Sequence, residues 1–236
     1  MITVQIEKIQ PLQHNLSKME IQKQIKELLD TLPDHVSLVA VSKTKPNQDL
    51  EAAYQAGQRI FGENKIQEMT QKWEILPKDI EWHMIGHVQT NKVKYMAPYV
   101  TLIHGVDRYK LLKEINKQAA KNNRIIDCLL QVNIAEEETK FGFNRTELEE
   151  VVLDLKVNPL PNVRVTGLMG MATFTENKDQ IRTEFKNLKN TSDWLQKHIQ
   201  EAKICSTGMS GDYELAIEEG STMIRVGSKI FGSRNY

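Results

Sequence analysis

Two lysines close an apolar run near the start of the chain, where Leu38–Pro46 reads LVAVSKTKP. On a strand, Val39, Val41, Lys43 and Lys45 share one face, and Leu38, Ala40 and Ser42 share the other. Pro46 lacks an N–H and biases Lys45 toward extended backbone, so the strand is expected to run on to the lysines and stop there. A lysine at the end of a buried strand loses hydration, and a second ammonium on its face adds repulsion; both lower its pKa. A partly neutral amine can attack an aldehyde near neutral pH. The same residues also fit two solvated lysines that close an ordinary strand.

Other residue patterns point to less chemistry. His83 and His87 are four apart, as metal ligands on a helix would be, but Glu81–Ile85 reads as a strand and Met84 stands where H-E-x-x-H needs glutamate. No metal site is expected. His14, His35, His104 and His198 are scattered and suit surface or capping roles. Met169, Met171, Met209 and Met223 read as core filler, and Glu136–Glu138 as a solvated loop. No Ser/His/Asp or Cys/His arrangement stands out.

Composition narrows the class. The 236 residues are 40% hydrophobic and 26% charged, with Lys+Arg and Asp+Glu both at 31. A net charge of zero argues against a mainly electrostatic nucleic-acid binder. Cys128 and Cys205 sit in apolar runs and read as buried, reduced thiols. No apolar segment approaches the roughly 20 residues of a membrane span, and the N-terminus lacks the features of a secretory signal, so a cytoplasmic protein is expected.

The elements that must position the lysines alternate along the chain. Residues 3–30 carry helical spacing interrupted at Pro11. Eight strand-like runs follow: Val36–Lys43, Arg59–Glu63, Glu81–Ile85, Val100–Val106, Ile125–Asn133, Val163–Met171, Ile204–Thr207 and Met223–Val226. Charged, periodic segments such as Asp49–Ala56, Arg108–Asn122, Thr146–Val157 and Lys178–Ala202 separate them. Such alternation predicts a parallel sheet, and this length predicts an α/β fold of one (β/α)8 TIM barrel with an extra N-terminal helix. The expected organisation is one domain over 1–236, with a helical segment at 1–32 and the barrel at 36–232. An open doubly wound sheet loses ground because neither a G-x-G-x-x-G nor a G-x-x-x-x-G-K-[ST] motif is present.

In such a barrel the active face is the C-terminal end of the strands. Lys43, Phe61–Asn64, Gly86-His87, Met169–Ala172, Ser206–Gly211 and Arg225–Ser228 all fall there. The last two segments carry Gly, Ser and Thr before helix-like stretches, which suits a phosphate after strands seven and eight; turn chemistry explains each loop taken alone. Together, opposite a strand-end lysine, they suit a ligand with an aldehyde and a phosphate.

AVSKTKP, FGENKIQE, WHMIGHVQTNK, KFGF, GLMGMA and STGMSGDYELAIEEGSTMIRVGSKIFG stand here in order. Together they resemble the pyridoxal phosphate homeostasis proteins, over nearly the whole chain from about Leu38 to Gly232. The resemblance implies a (β/α)8 barrel similar to the N-terminal domain of alanine racemase, and pyridoxal 5′-phosphate (PLP) held as a Schiff base on Lys43. It implies that Arg225 faces the pyridine nitrogen. Ser210, Gly227 and Ser228 match positions around the phosphate, with Met209 and Gly211 beside Ser210, and Asn64 and His87 line the pocket. An arginine at the ring nitrogen disfavours a proton there and weakens the ring as an electron sink. With the chain ending at Tyr236, the second domain of the racemases is expected to be missing. The resemblance thus implies a carrier or regulator of intracellular PLP without established turnover and no assigned catalytic residue. Expected partners are PLP and apo-enzymes that receive it, with a monomeric chain and no nucleic acid or membrane. A single-domain PLP-dependent racemase and a Schiff-base aldolase acting through Lys43 are the alternatives.

Overall fold

The computed structural model describes residues 10–135 and 141–232, with side chains from Lys18 onward. The Glu136–Glu138 loop, the segment 3–9 and Tyr236 lie outside the described residues, as do the side chains of Leu12, His14 and Leu16. The chain runs α1 (Gln10–Thr31), β1 (Ser37–Val41), α2 (Asn47–Gln55), β2 (Ile60–Glu63), α3 (Ile66–Ile75), β3 (Glu81–Met84), a 3-10 turn (Thr90–Lys92), α4 (Val93–Met96), β4 (Leu102–Val106) and α5 (Tyr109–Lys121). It continues with β5 (Ile126–Gln131), α6 (Arg145–Val157), β6 (Val163–Met169), α7 (Lys178–His198), β7 (Ile204–Ser206), α8 (Tyr213–Glu218), β8 (Met223–Val226) and α9 (Ser228–Phe231). The strands pair in parallel and in sequence order, and β8 returns to β1 to close the barrel. The eight expected strands and the closed barrel are therefore the observed ones.

Two layers of apolar side chains build it. Leu38 and Ala40 of β1 face outward into the layer between barrel and helices. Val39, between them, points inward and packs with Leu102, Leu129, Met169 and Met223 of four other strands. The helices cover the outside with a stripe each: α5 buries Leu111, Leu112, Ile115, Gln118 and Ala119, spaced to one face. Asn144 and Glu147 start α6 with a reciprocal capping box.

The structure moves several expected boundaries. Pro11 does not interrupt α1, because it lies in the first turn, where a missing N–H leaves no bond unmade. Strand β1 stops at Val41, short of the lysines. Ser42–Lys45 forms a turn instead: the Lys45 N–H donates to Ser42 O at 3.0 Å, and Thr44 takes φ 66°. The strand rule of alternating faces therefore ends at Ser42, and Lys43 reaches the barrel mouth from a turn. Pro46 then serves as the N-cap of α2, with extended backbone.

Helix α1 packs on α2 and α9, and its Ile21, Ile25 and Leu28 are buried. Ile25→Ala should lower stability by about 2–5 kcal/mol in urea unfolding. An unchanged midpoint would show that α1 is not part of the core.

Candidate functional site

The C-terminal mouth of the barrel holds a cavity of about 440 Å³, lined by Lys43 and Lys45 of the turn after β1, Asn64 after β2, and Met209, Ser210 and Gly211 after β7. Arg225 of β8 and Gly227, Ser228 and Gly232 around α9 complete the polar wall, and Val41, Ile85, Met171 and Phe174 the apolar one. Its size suits a small organic ligand.

Arg225 is the most constrained of these groups. It is 4% exposed. Its Nη1 donates to Ser206 Oγ at 2.6 Å and its Nη2 to the Gly170 carbonyl at 3.1 Å. Its backbone N–H donates to Gly208 O at 3.0 Å. Gly208 has φ +96°, and a Cβ there would stand 2.6 Å from Ala216 Cβ, so glycine is required for this contact. Burial pushes the guanidinium down to about 10, against the pull of Asp212, and leaves it protonated at neutral pH. Five donors, with two in these bonds, leave others for a ligand.

Behind Arg225 the sequence reading missed a buried relay. Ser206 Oγ lies 3.2 Å from His104 Nδ1, and His104 Nε2 lies 3.1 Å from His83 Nδ1. His104 is 0% exposed, which corrects its expected surface or capping role. The face of β4 that carries it turns into the barrel, a fact set by closure of the sheet. Burial pushes His83 down to about 3 and His104 well below its ordinary value, helped in the latter by His83 and Arg225. Both rings are neutral at pH 7. One assignment satisfies all three contacts: Arg225 donates to Ser206, the Ser206 hydroxyl to His104 Nδ1, and His104 Nε2–H to His83 Nδ1. Among the described residues no cluster suits a metal ion.

The phosphate-like loops meet through one bond, as Gly227 N–H donates to Ser210 Oγ at 3.1 Å. The Ser210 hydroxyl hydrogen stays available to an anion in the cavity. Lys45 Nζ donates to Phe231 O at 2.7 Å and Gly232 O at 3.4 Å, tying the β1 turn to the end of α9. Asn64 is held where β2 ends: Gly86 packs so closely that a Cβ would stand 2.4 Å from Asn64 O.

Eight of the nine expected site residues line the cavity, and His87 does not. Its Nδ1 lies 3.0 Å from Asp107 Oδ2, and its ring stacks on Phe141 with centroids 4.3 Å apart. The side chain thus turns toward the β4 end of the mouth. Ile85 and Phe174 were not singled out, because apolar residues at strand ends carry no signal of their own, and Met171 and Met209, read as core filler, line the cavity.

A closed parallel barrel with a lysine-bearing turn after β1, a buried arginine on β8 and Ser/Gly loops after β7 and β8 offers a small ligand an amine, a fixed cation and hydroxyl and N–H donors in one cavity. Comparison with known proteins agrees in class. Residues 16–235 match the family model described as alanine racemase, N-terminal domain. A pyridoxal phosphate homeostasis protein of Aquifex aeolicus is 45% identical over 204 residues, covering 84% of this chain and 87% of that protein. One from Haemophilus influenzae is 35% identical over 232 residues, covering 95% and 97%. The structure of PipY of Synechococcus elongatus with PLP bound is similar at TM-score 0.81 and 32% identity, covering 90% of this chain and 100% of that one. Alanine racemase from E. faecalis shares the fold at TM-score 0.72 and 16% identity, with 92% of this chain and 58% of that one covered. The chain belongs to the family of pyridoxal phosphate homeostasis proteins, built on the alanine racemase N-terminal domain.

The buried histidines make stability pH-dependent. Folded values lie below the ordinary 6.5, so the unfolded chain takes up these protons first. Stability from this source is full above about pH 6.5 and is lost as pH falls, at up to about 1.4 kcal/mol per pH unit for each histidine. Urea unfolding between pH 6.5 and 5 should show that fall, and His104→Gln should remove about half of it. A flat profile in the unaltered protein would contradict the buried, neutral pair.

Proposed function

We propose that this protein binds PLP reversibly as a Schiff base on Lys43 and serves the homeostasis of the cofactor, handing it to apo-enzymes. The observation that carries the reading is the cavity itself, where Lys43, Arg225 and the Ser210–Gly227 pair converge on one space. The names of the relatives and the PLP bound in PipY support it. The residues also fit the group: an amine for an aldehyde, a fixed cation for a ring nitrogen, and N–H and hydroxyl donors for a phosphate. Bound PLP supplies an aldehyde that condenses with an amine, with loss of water.

The chain's own groups have distinct tasks in this reading. Lys43 provides the amine. Arg225, protonated and anchored on Ser206 and Gly170, keeps a proton off the ring nitrogen by like-charge repulsion. Ser210 and Ser228 donate hydroxyl hydrogens to the phosphate, and the Gly227 N–H shares the same wall. Lys45 holds the end of α9 in place and adds positive charge to the cavity. With this arginine in the place where a carboxylate would hold the ring nitrogen protonated, the site would favour holding the cofactor over turning amino acids over. The reading includes a single-domain, monomeric chain.

Borohydride reduction of PLP-loaded protein followed by peptide mapping tests the attachment. The reduced adduct should sit on Lys43 and be lost in Lys43→Ala; a full adduct unchanged in that variant would remove Lys43 from the role. Ser210→Ala should weaken PLP about ten- to a hundredfold, the worth of a hydrogen bond to a charged group, and leave pyridoxal without phosphate unaffected. Equal affinity for the two ligands in the unaltered protein would rule out the phosphate site.

A further inference from the structure

The turn that carries Lys43 is gripped from outside the cavity by three charged side chains. Lys72 of α3 is 5% exposed. Its Nζ donates to Glu63 Oε1 at 2.7 Å, to Glu68 Oε1 at 2.7 Å and to the Ser42 carbonyl at 2.8 Å. The same Glu63 oxygen accepts the Ser42 hydroxyl at 2.6 Å, and Glu68 Oε1 accepts the Thr44 N–H at 2.6 Å. The residue before Lys43 and the residue after it are therefore both tied to one ion cluster. Thr44, between the two lysines, has φ 66°. A β-branched residue takes that left-handed backbone only where its surroundings impose it.

Stability alone is a poor account of this cluster. Glu63 is 0% exposed, and its Oε2 has no hydrogen-bond partner. Burial raises its pKa against the pull of Lys72. Apolar side chains of similar volume commonly serve a fold as well as a buried ion pair does. What a buried, hydrogen-bonded cluster adds is a single geometry, and this one is spent on the two neighbours of Lys43. Lys45 lines the same cavity, and its amine donates to the carbonyls of Phe231 and Gly232.

We propose that Glu63, Lys72 and Glu68 are positioning residues that lock the Ser42–Lys45 turn, so that of the two cavity lysines Lys43 carries the adduct. The proposal rests on the reading of Lys43 as the attachment site. In the condensation a C=N bond forms between the lysine amine and the aldehyde, the C=O bond breaks, and water leaves. The cluster takes no part in these bonds; it sets which amine meets the aldehyde.

PLP itself is the probe. Cofactor-free protein is mixed with it, trapped with borohydride at intervals and mapped by peptide. In Glu68→Ala and Lys72→Met the adduct should form at least about tenfold more slowly, with part of it on Lys45. Glu68→Gln keeps an oxygen acceptor for Thr44 N–H and Lys72, and should restore both rate and site. Amide hydrogen exchange of Thr44, read in cofactor-free protein, should be about tenfold faster or more in Glu68→Ala and near the unaltered rate in Glu68→Gln. Glu68 lies at the edge of the cluster, with its side chain 22% exposed, so this pair decides if Lys72→Met does not fold. Adduct on Lys43 at the unaltered rate in folded Glu68→Ala would overturn the proposal. So would a Thr44 amide that exchanges like an open loop in the unaltered protein, a test that needs no variant. An adduct that maps away from Lys43 in the unaltered protein would refute the attachment reading, while the Thr44 exchange would still report on the clamp.

Discussion

A guanidinium buried inside a barrel is the constraint around which this site is arranged. Arg225 cannot give up its charge at neutral pH, so every neighbour must accept it. The Gly170 carbonyl and the Ser206 hydroxyl do so directly. Burial keeps both histidines behind Ser206 neutral, and at His104 a second cation would also face the first across one hydroxyl. The register of β8 against β1, Arg225 beside Val39, places this charge below the mouth and beneath the turn that carries Lys43. Two basic groups thus share one cavity: an arginine that stays protonated at neutral pH and, in the proposed reading, a lysine whose amine must be neutral to meet an aldehyde.

The two are supported in different ways. Arg225 projects from a strand and is fixed by neutral polar groups inside the barrel. Lys43 projects from a turn and is bordered by the ion cluster of Glu63, Lys72 and Glu68 outside it. A strand-borne lysine would have its direction set by the sheet; a turn-borne one needs separate restraint, and Thr44 at positive φ marks where that restraint acts. Between them, Ser210 and Gly227 join the loops after β7 and β8, so this wall of the cavity is one unit.

Much of this was legible in the sequence because strand ends in a parallel barrel are functional by topology. Alternation of strand-like and helix-like runs located all eight strands, and motif resemblance selected eight residues that line the cavity. The misses share a physical cause. The strand pattern of Val39 and Val41 extrapolated through Ser42, but the Ser42 carbonyl accepts from the Lys45 N–H of the turn and from Lys72 of α3. His104 looked isolated because its partners, His83 and Ser206, are on other strands. Glu68 and Lys72 are spaced like an exposed i,i+4 pair, and only the packing of α3 against the β1 turn makes them a buried cluster. His87 was assigned by resemblance alone, and its direction is decided by Asp107 and Phe141.

The central claim is that this site holds its cofactor without using it on amino acids. The most direct test is α-hydrogen exchange of alanine and other amino acids in deuterated water with PLP-loaded protein. A ring nitrogen kept unprotonated by Arg225 stabilises little negative charge at the α-carbon, so exchange at the level of free PLP is predicted, alongside transfer of the cofactor to an apo-enzyme. Exchange or racemisation at about 1 s⁻¹ or faster, abolished in Lys43→Ala, would contradict the account and make the protein a small racemase.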